Sequence, residues 1–490
     1  MNTRTPPQCP FHGDAAASSR PVTPETPEAT APALHPPGVW PPGPPAGITG
    51  WGLLRQMSGD LLGTLAQWKR TYGDVVYVRF WPEHAVVVTD PQLVRALLVT
   101  HHHSLIRWER GVSVMSQLHG HSVLIAEGDA WHHKRQTLQP YFLPKSVQTF
   151  VPHIAAATAR ALDAWPQRDA HWSIESALTS LTMDVIMRQV FSGEIGDEAR
   201  MAERALRVAS EAADAEFYWP ASWPDWMPWK REKRRAVRGL KGLIDRHVNA
   251  RLAMPADVWP DDLLSRLLRL HREDPQTWSL QAVRDECMTT FLAGHETTAG
   301  TLTWWAWCMA SNPAIQEAAR DEVIRVLGLA GEMVPSAEPR SALRYLSQTI
   351  DETLRLYPAA PTLLSRRATR PITLGAWQFP ARTLFMLPVQ LLQHDARSFA
   401  EPTAFRPERF ASDAPAAPRG THMPFGAGPR VCLGQHLATT EIIVIAAMIL
   451  QRFTLSVPDG MAAPKPRMHV TLRPETALHL GLTAIPSPDV

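Results

Sequence analysis

A mainly α-helical fold with a minor β portion is predicted by three features of the sequence. Nine segments repeat apolar residues at helical spacing, and only six short runs read as strands. A composition 45% hydrophobic and 20% charged suits a packed globular chain and excludes a wholly disordered one. The 490 residues give ample chain for a large core. Lys plus Arg number 49 and Asp plus Glu 47, so the net charge of +2 gives no bias toward nucleic acid or an acidic partner.

Residues 1–50 hold 13 of the 45 prolines. Proline removes backbone donors and fixes φ, so residues 1–48 read as a disordered or polyproline-like lead, ending near Pro41 to Gly47. One folded unit, 49–490, follows, with no internal repeat and no second linker of that kind. Amphipathic helices are predicted over Leu53 to Tyr72, Ser146 to Ala164, Ala199 to Ala213, Arg235 to Leu252 and Asp261 to Leu270. Further helices are predicted over Ser279 to Ser311, Ala314 to Leu327, Ala342 to Leu356 and Gln435 to Phe453. Strands are predicted at Val75 to Phe80, Ala85 to Thr89, Ile372 to Leu374, Thr383 to Leu387, Val470 to Leu472 and Ala477 to Leu482.

The cysteines Cys9, Cys287, Cys308 and Cys432 are too few and scattered for a disulfide framework, and none pair as C-x-x-C. This favours a reducing, cytoplasmic setting. The N-terminus lacks an apolar signal core, and the strongest apolar run, Ile442 to Leu450, is too short to cross a bilayer. The expectation is a soluble protein with no transmembrane segment, surface association with a membrane being left open.

The richest local signal is Pro424-Phe-Gly-Ala-Gly-Pro-Arg-Val-Cys432-Leu-Gly-Gln-His-Leu-Ala438. Glycines around a lone cysteine permit a tight turn, and both Arg430 and the helix beginning after the loop favour thiolate over thiol. An inert buried cysteine in a glycine-rich loop is the bland reading. A dinucleotide loop is excluded, since the third glycine and a preceding strand are missing. Phe425-x-x-Gly428-x-Arg430-x-Cys432-x-Gly434 resembles the haem-binding signature of the cytochromes P-450, the haem-thiolate monooxygenases. Five fixed positions over the whole chain have a chance expectation on the order of 10⁻⁴. The resemblance implies haem b (iron protoporphyrin IX) with Cys432 as axial ligand of the iron, Phe425 packed beside it and Arg430 on a haem propionate.

Three further motifs carry the same resemblance. Ala293-Gly-His-Glu296-Thr297-Thr298 lies in a long helical stretch, where Gly and Thr-Thr are poor helix formers and a hydroxyl bonded to a carbonyl can open a pocket. An ordinary kinked core helix is the alternative; a zinc-protease H-E-x-x-H fails because residue 299 is Ala. The family resemblance makes Thr297 and Glu296 an acid–alcohol pair, Thr297 helping to protonate dioxygen and Glu296 linking to solvent. Glu352 and Arg355, at i,i+3, read in isolation as an exposed ion pair. With Pro407-Glu-Arg409-Phe410 they resemble the family's buried structural network. Trp131 and Arg135 share one helical face, a surface basic turn or, by resemblance, a propionate contact. Arg366 is implied as another propionate partner, with Arg367 adjacent as the other candidate. Ala396 stands where the family usually has proline, and the lead is longer than usual for soluble members.

Other features are only suggestive. Trp219, Trp223, Trp226 and Trp229 precede Lys230 to Lys241, which holds seven Lys or Arg; ordinary packing, contact with an apolar substrate and a membrane-surface patch all fit, and nothing else supports nucleic acid. His101 to His103 read as a solvated helix end, since adjacent histidines cannot all face one ion. Substrate contacts are expected from Val112 to Leu118, from Phe291, Ala293 and Thr297, and from Ala360 to Leu364. The implied function is oxidation of a hydrophobic small molecule (fatty acid, terpenoid or polyketide-like) with O2. The haem unit takes nearly the whole chain, so electrons are expected from a ferredoxin or flavodoxin with its NAD(P)H reductase, docking with help from Lys134 or Arg135. A peroxide-driven or non-oxygenating haem-thiolate enzyme and a non-enzymatic haem sensor are the alternatives, and the intact acid–alcohol pair argues against both.

Overall fold

The computed structural model describes residues 34–193, 198–218, 226–329, 338–468 and 470–486. Helices dominate them, as the apolar periodicity predicts. Ser279 accepts from the Ala282 N–H and starts the Leu280–Ser311 helix, which is buried on nearly every side. Beside it run Ile174–Phe191 and the almost wholly buried Gln435–Arg452. Gly294 faces the Ile174–Phe191 helix so closely that a Cβ there would lie 2.6 Å from Ile186 Cδ1. That close approach offsets the poor helix propensity of glycine at this point.

Two predicted helices are split. Asp60 accepts from the Gly63 N–H at 2.9 Å, dividing the first into Trp51–Gly59 and Leu61–Tyr72. Pro152 opens a fresh helix at Val151–Asp163, separate from Pro144–Gln148. Three helices of 11 or more residues escaped the periodicity: Glu109–His119, Gly128–Leu138 and Ile174–Phe191. The last buries most of its residues and leaves only a narrow polar strip at Ser176, Ser180, Asp184 and Arg188, whereas Gly128–Leu138 buries only Trp131 and Leu138.

The β portion is small. One five-stranded sheet runs Val75–Phe80, Glu83–Val88, Leu384–Leu387, Leu363–Ala368, Leu105–Arg107, with Glu83–Val88 and Leu384–Leu387 parallel and the other pairs antiparallel. A three-stranded sheet joins Arg168–Trp172, Leu480–Ala484 and Phe453–Ser456. The strand expected at Val470 to Leu472 is instead Leu472–Pro474, paired with Pro466–Met468.

The proline-rich lead departs from the expectation of disorder in its described part. The His35 N–H donates to Ala376 O at 2.8 Å, the His35 ring stacks on Trp377, and Trp40 stacks on Tyr77 with centroids 4.5 Å apart. Pro42 lacks a donor but its carbonyl accepts from the Tyr77 N–H at 3.1 Å. Aromatic burial and carbonyl acceptors thus seat this stretch on the sheet despite its prolines. Residues 1–33 of the lead lie outside the described residues. Among the described residues no helix is long and apolar enough to cross a membrane.

Candidate active site

A cavity of about 430 Å³ lies between the long helix and the cysteine loop. The loop is shaped by Gly428, whose φ of +73° and approach to Leu98 O, 2.1 Å from where a Cβ would stand, both exclude other residues. The Cys432 N–H donates to Phe425 O at 2.9 Å, closing the loop, and both residues line the cavity. The Cys432 thiol opens onto the cavity while lying deep in the protein. Burial pushes its pKa up, and the Gly434 N–H and the Arg135 guanidinium pull it down. Arg430, expected to be the thiolate-favouring cation, is engaged elsewhere. It pairs with Glu127, donates to Ala126 O at 3.0 Å and stacks over Trp131 at 4.2 Å.

The long helix supplies the facing wall. Thr297 lines the cavity and donates to Ala293 O at 2.7 Å. Glu296 is buried, accepting from Thr471 Oγ1 at 2.7 Å and pairing with Arg473 at 2.9 Å. Glu296 also lines the cavity, so its carboxylate stands between the cavity and the partly exposed Arg473. Phe291, expected to touch substrate, is sealed in the core; its neighbour Thr290 lines the cavity instead. Val112 lines a smaller apolar cavity next to it, of about 130 Å³, and Met115 borders both.

The rim gathers Trp131, Arg135, Arg366 and Arg430, all four predicted from sequence, and adds Arg107, which was missed. Arg107 stands directly opposite Arg366 across two paired strands, a neighbourhood no local sequence pattern reveals. Arg107 pairs with Glu127 at 3.1 Å, yet its buried Nε has no hydrogen-bond partner. Burial, with Arg107 nearby, pushes the Arg366 pKa down to about 10. Arg367 is turned to Glu83 and Glu109, both at 2.7 Å, which decides between the adjacent arginines in favour of Arg366. Cross-strand like charges, an unpaired buried guanidine nitrogen and a thiol open to the same cavity fit haem, which brings two carboxylates and an iron.

Several other expectations are corrected or located. Lys134, proposed for docking, is held by the buried Glu286 at 2.8 Å and lies over Trp278, and Arg135 donates to Val431 O. Lys230 and Lys233 of the basic stretch pair with Glu216, while Trp226 and Trp229 are exposed; Trp219 and Trp223 lie outside the described residues. The His102 ring bonds Val99 O, and no cluster among the described residues could hold a metal ion. Glu352 and Arg355 are fully buried rather than an exposed pair. Arg355 makes two bonds to Glu352 and three to backbone carbonyls, and Arg409 reaches Glu352 at 3.3 Å.

The sequence is similar to those of known proteins. A family model for cytochrome P450 matches residues 41–480. A cytokinin hydroxylase of Arabidopsis thaliana is 31% identical, covering 86% of this chain and 83% of its own. Cyclooctat-9-en-7-ol 5-monooxygenase of Streptomyces melanosporofaciens is 32% identical over 82% of this chain and 89% of its own. Protein LUTEIN DEFICIENT 5, chloroplastic, of Arabidopsis thaliana is 26% identical over 84% and 72%. The loop cysteine, the arginine rim and the matched length converge: the chain belongs to the cytochrome P450 family, monooxygenases that bind haem through a cysteine thiolate.

Proposed function

We propose that this enzyme oxidises a hydrophobic small molecule, of fatty-acid, terpenoid or polyketide-like character, with Cys432 as the residue that would hold the iron of haem b. The observation that carries the reading is a single cavity lined by Cys432, by Thr297 and by the arginine rim. Bound there, haem supplies the activation of O2 and the insertion of one oxygen atom. Arg107, Arg135, Arg366, Arg430 and Trp131 would hold its two carboxylates, and Phe425 packs at the thiolate side. The largely apolar walls dry the site and favour an apolar substrate. Thr297 holds a proton on a hydroxyl anchored to Ala293 O, and Glu296, oriented by Thr471 and Arg473, is the acid that exchanges protons with it. A relative named for oxygenating cyclooctat-9-en-7-ol supports the substrate class. Electrons are drawn from a ferredoxin or flavodoxin with its NAD(P)H reductase, since monooxygenases of this family depend on a redox partner.

The test is a reduced, carbon-monoxide-bound difference spectrum of the purified protein beside Cys432→Ala. A red-shifted, thiolate-type Soret band that vanishes in the variant is expected; a histidine-like band in the parent removes Cys432 from the iron. Thr297→Ala is expected to cut product formation roughly 10²-fold while reductant is still consumed. Full product yield from that variant with O2 and the reductase chain would contradict the proton role. Peroxide-driven turnover indifferent to Thr297 would favour the peroxide-using alternative.

A further inference from the structure

Two helical turns before Thr297, the cavity wall carries a polar site that the oxygen chemistry does not use. His119 and Thr289 line the cavity, and both are more than nine-tenths buried. His119 Nδ1 and Thr289 Oγ1 are 3.2 Å apart, and Thr289 also bonds Ser122 Oγ at 2.7 Å. The other ring nitrogen, Nε2, has no partner among the described residues, while Leu118, Leu206 and Leu292 make the surrounding wall apolar. Burial holds the ring neutral, with a pKa pushed down to about 4. A neutral imidazole fixed by Nδ1 presents Nε2 as one hydrogen-bonding point, and leaving it unpaired against an apolar ligand is costly.

The ring is built in rather than incidental. Gly120 follows it at φ +56°, packed so that a Cβ would meet the Asp285 carboxylate at 2.1 Å. The His121 N–H donates to that carboxylate at 2.8 Å and the Val123 N–H to Glu286 at 2.9 Å. The close approach at Gly120 and these two hydrogen bonds therefore lock the end of the Glu109–His119 helix onto the long helix. Along the latter, Thr289, Ala293 and Thr297 fall at i, i+4 and i+8 on one face, and Thr289 and Thr297 are about 12 Å apart at 1.5 Å per residue.

The geometry points to His119 as a specificity residue that hydrogen-bonds a hydroxyl of the substrate beside Thr289, two helical turns along the long helix from the Thr297 end of the cavity. The substrate class is thereby narrowed to an extended apolar skeleton already bearing one oxygen function. It follows that a preceding reaction, a hydration, hydroxylation or cyclisation that leaves an alcohol, must supply it. This deepens the monooxygenase reading above and rests on it.

The experiment compares alcohol and parent hydrocarbon pairs on three skeletons: an n-C12 chain, a labdane diterpene and an androstane. Dissociation constants are measured on the holoprotein by spin-state shift and, independently, by calorimetry. At least one alcohol is expected to bind roughly tenfold tighter than its hydrocarbon. His119→Phe should erase that ratio, His119→Gln should keep part of it, and Thr289→Val, which frees the ring, should reduce it. No preference for any alcohol in the parent protein, or a ratio unchanged in a His119→Phe variant with a normal carbon-monoxide spectrum, overturns the proposal. A parent protein without the thiolate band would instead overturn the monooxygenase reading, and the calorimetric ratio would still decide the role of His119.

Discussion

The charge on the cavity rim is the feature with the sharpest consequence for single residues. Arg107 and Arg366 face each other across paired strands, with Glu127 shared between Arg107 and Arg430. Like charges in that register repel, so an anion of two carboxylates relieves the rim as it binds. Arg366→Leu is expected to speed transfer of haem to an acceptor such as apomyoglobin by roughly tenfold or more. Arg367→Leu, one residue along, should leave that rate unchanged and instead lower stability, because its guanidinium serves Glu83 and Glu109. Equal effects of the two substitutions would contradict the assignment. Arg430 was legible because it lies inside the cysteine-loop motif, and the sequence narrowed its neighbour on the rim only to Arg366 or Arg367. Arg107 was not legible, since only the pairing of two distant strands brings it to the rim.

At the scale of elements, the Arg344–Leu356 helix is tied to the segment around Pro407–Phe410 by charge inside the core. Glu352 accepts two bonds from Arg355, one from the Arg406 N–H at 2.9 Å and one from Arg409. Arg355 in turn ties down the carbonyls of Gln393, Pro402 and Ala404, which lead toward the cysteine loop. Removing one partner of such a pair strands the other in low dielectric. Glu352→Gln is expected to cost about 3–5 kcal/mol, read as a lowered urea midpoint and a poor yield of haem-loaded protein. A midpoint equal to the parent's would mean that the network is not needed to seat the loop. The i,i+3 spacing was visible in the sequence, but an exposed pair and a buried one have the same spacing. Their burial is a property of the packed elements.

Across the whole molecule, burial of histidines sets a response to acid. His119, His394 and His422 are each held neutral with pKa values pushed down to about 4 by burial, helped at the last two by the Arg355 charge. In the unfolded chain each titrates near the ordinary value of about 6.5. Between those values the unfolded state binds more protons, so stability is full above about pH 6.5 and falls as pH drops toward 4. The loss is on the order of 1–2 kcal/mol per residue at pH 5. Thermal melts at pH 7.5 and pH 5 should therefore differ by several degrees, and equal midpoints would show that these rings are not held neutral. Legible in the sequence alone were the helical class, from periodicity, and the cysteine loop, from fixed spacing within one segment, while the acid–alcohol pair was implied only by family resemblance. Tertiary structure alone decided that Arg107 joins the rim, that Phe291 leaves the substrate wall and that His119 faces the cavity. It also decided that Glu296 is buried on Arg473. Those outcomes depend on which surfaces meet across segments tens to hundreds of residues apart, and on the desolvation that follows when they do.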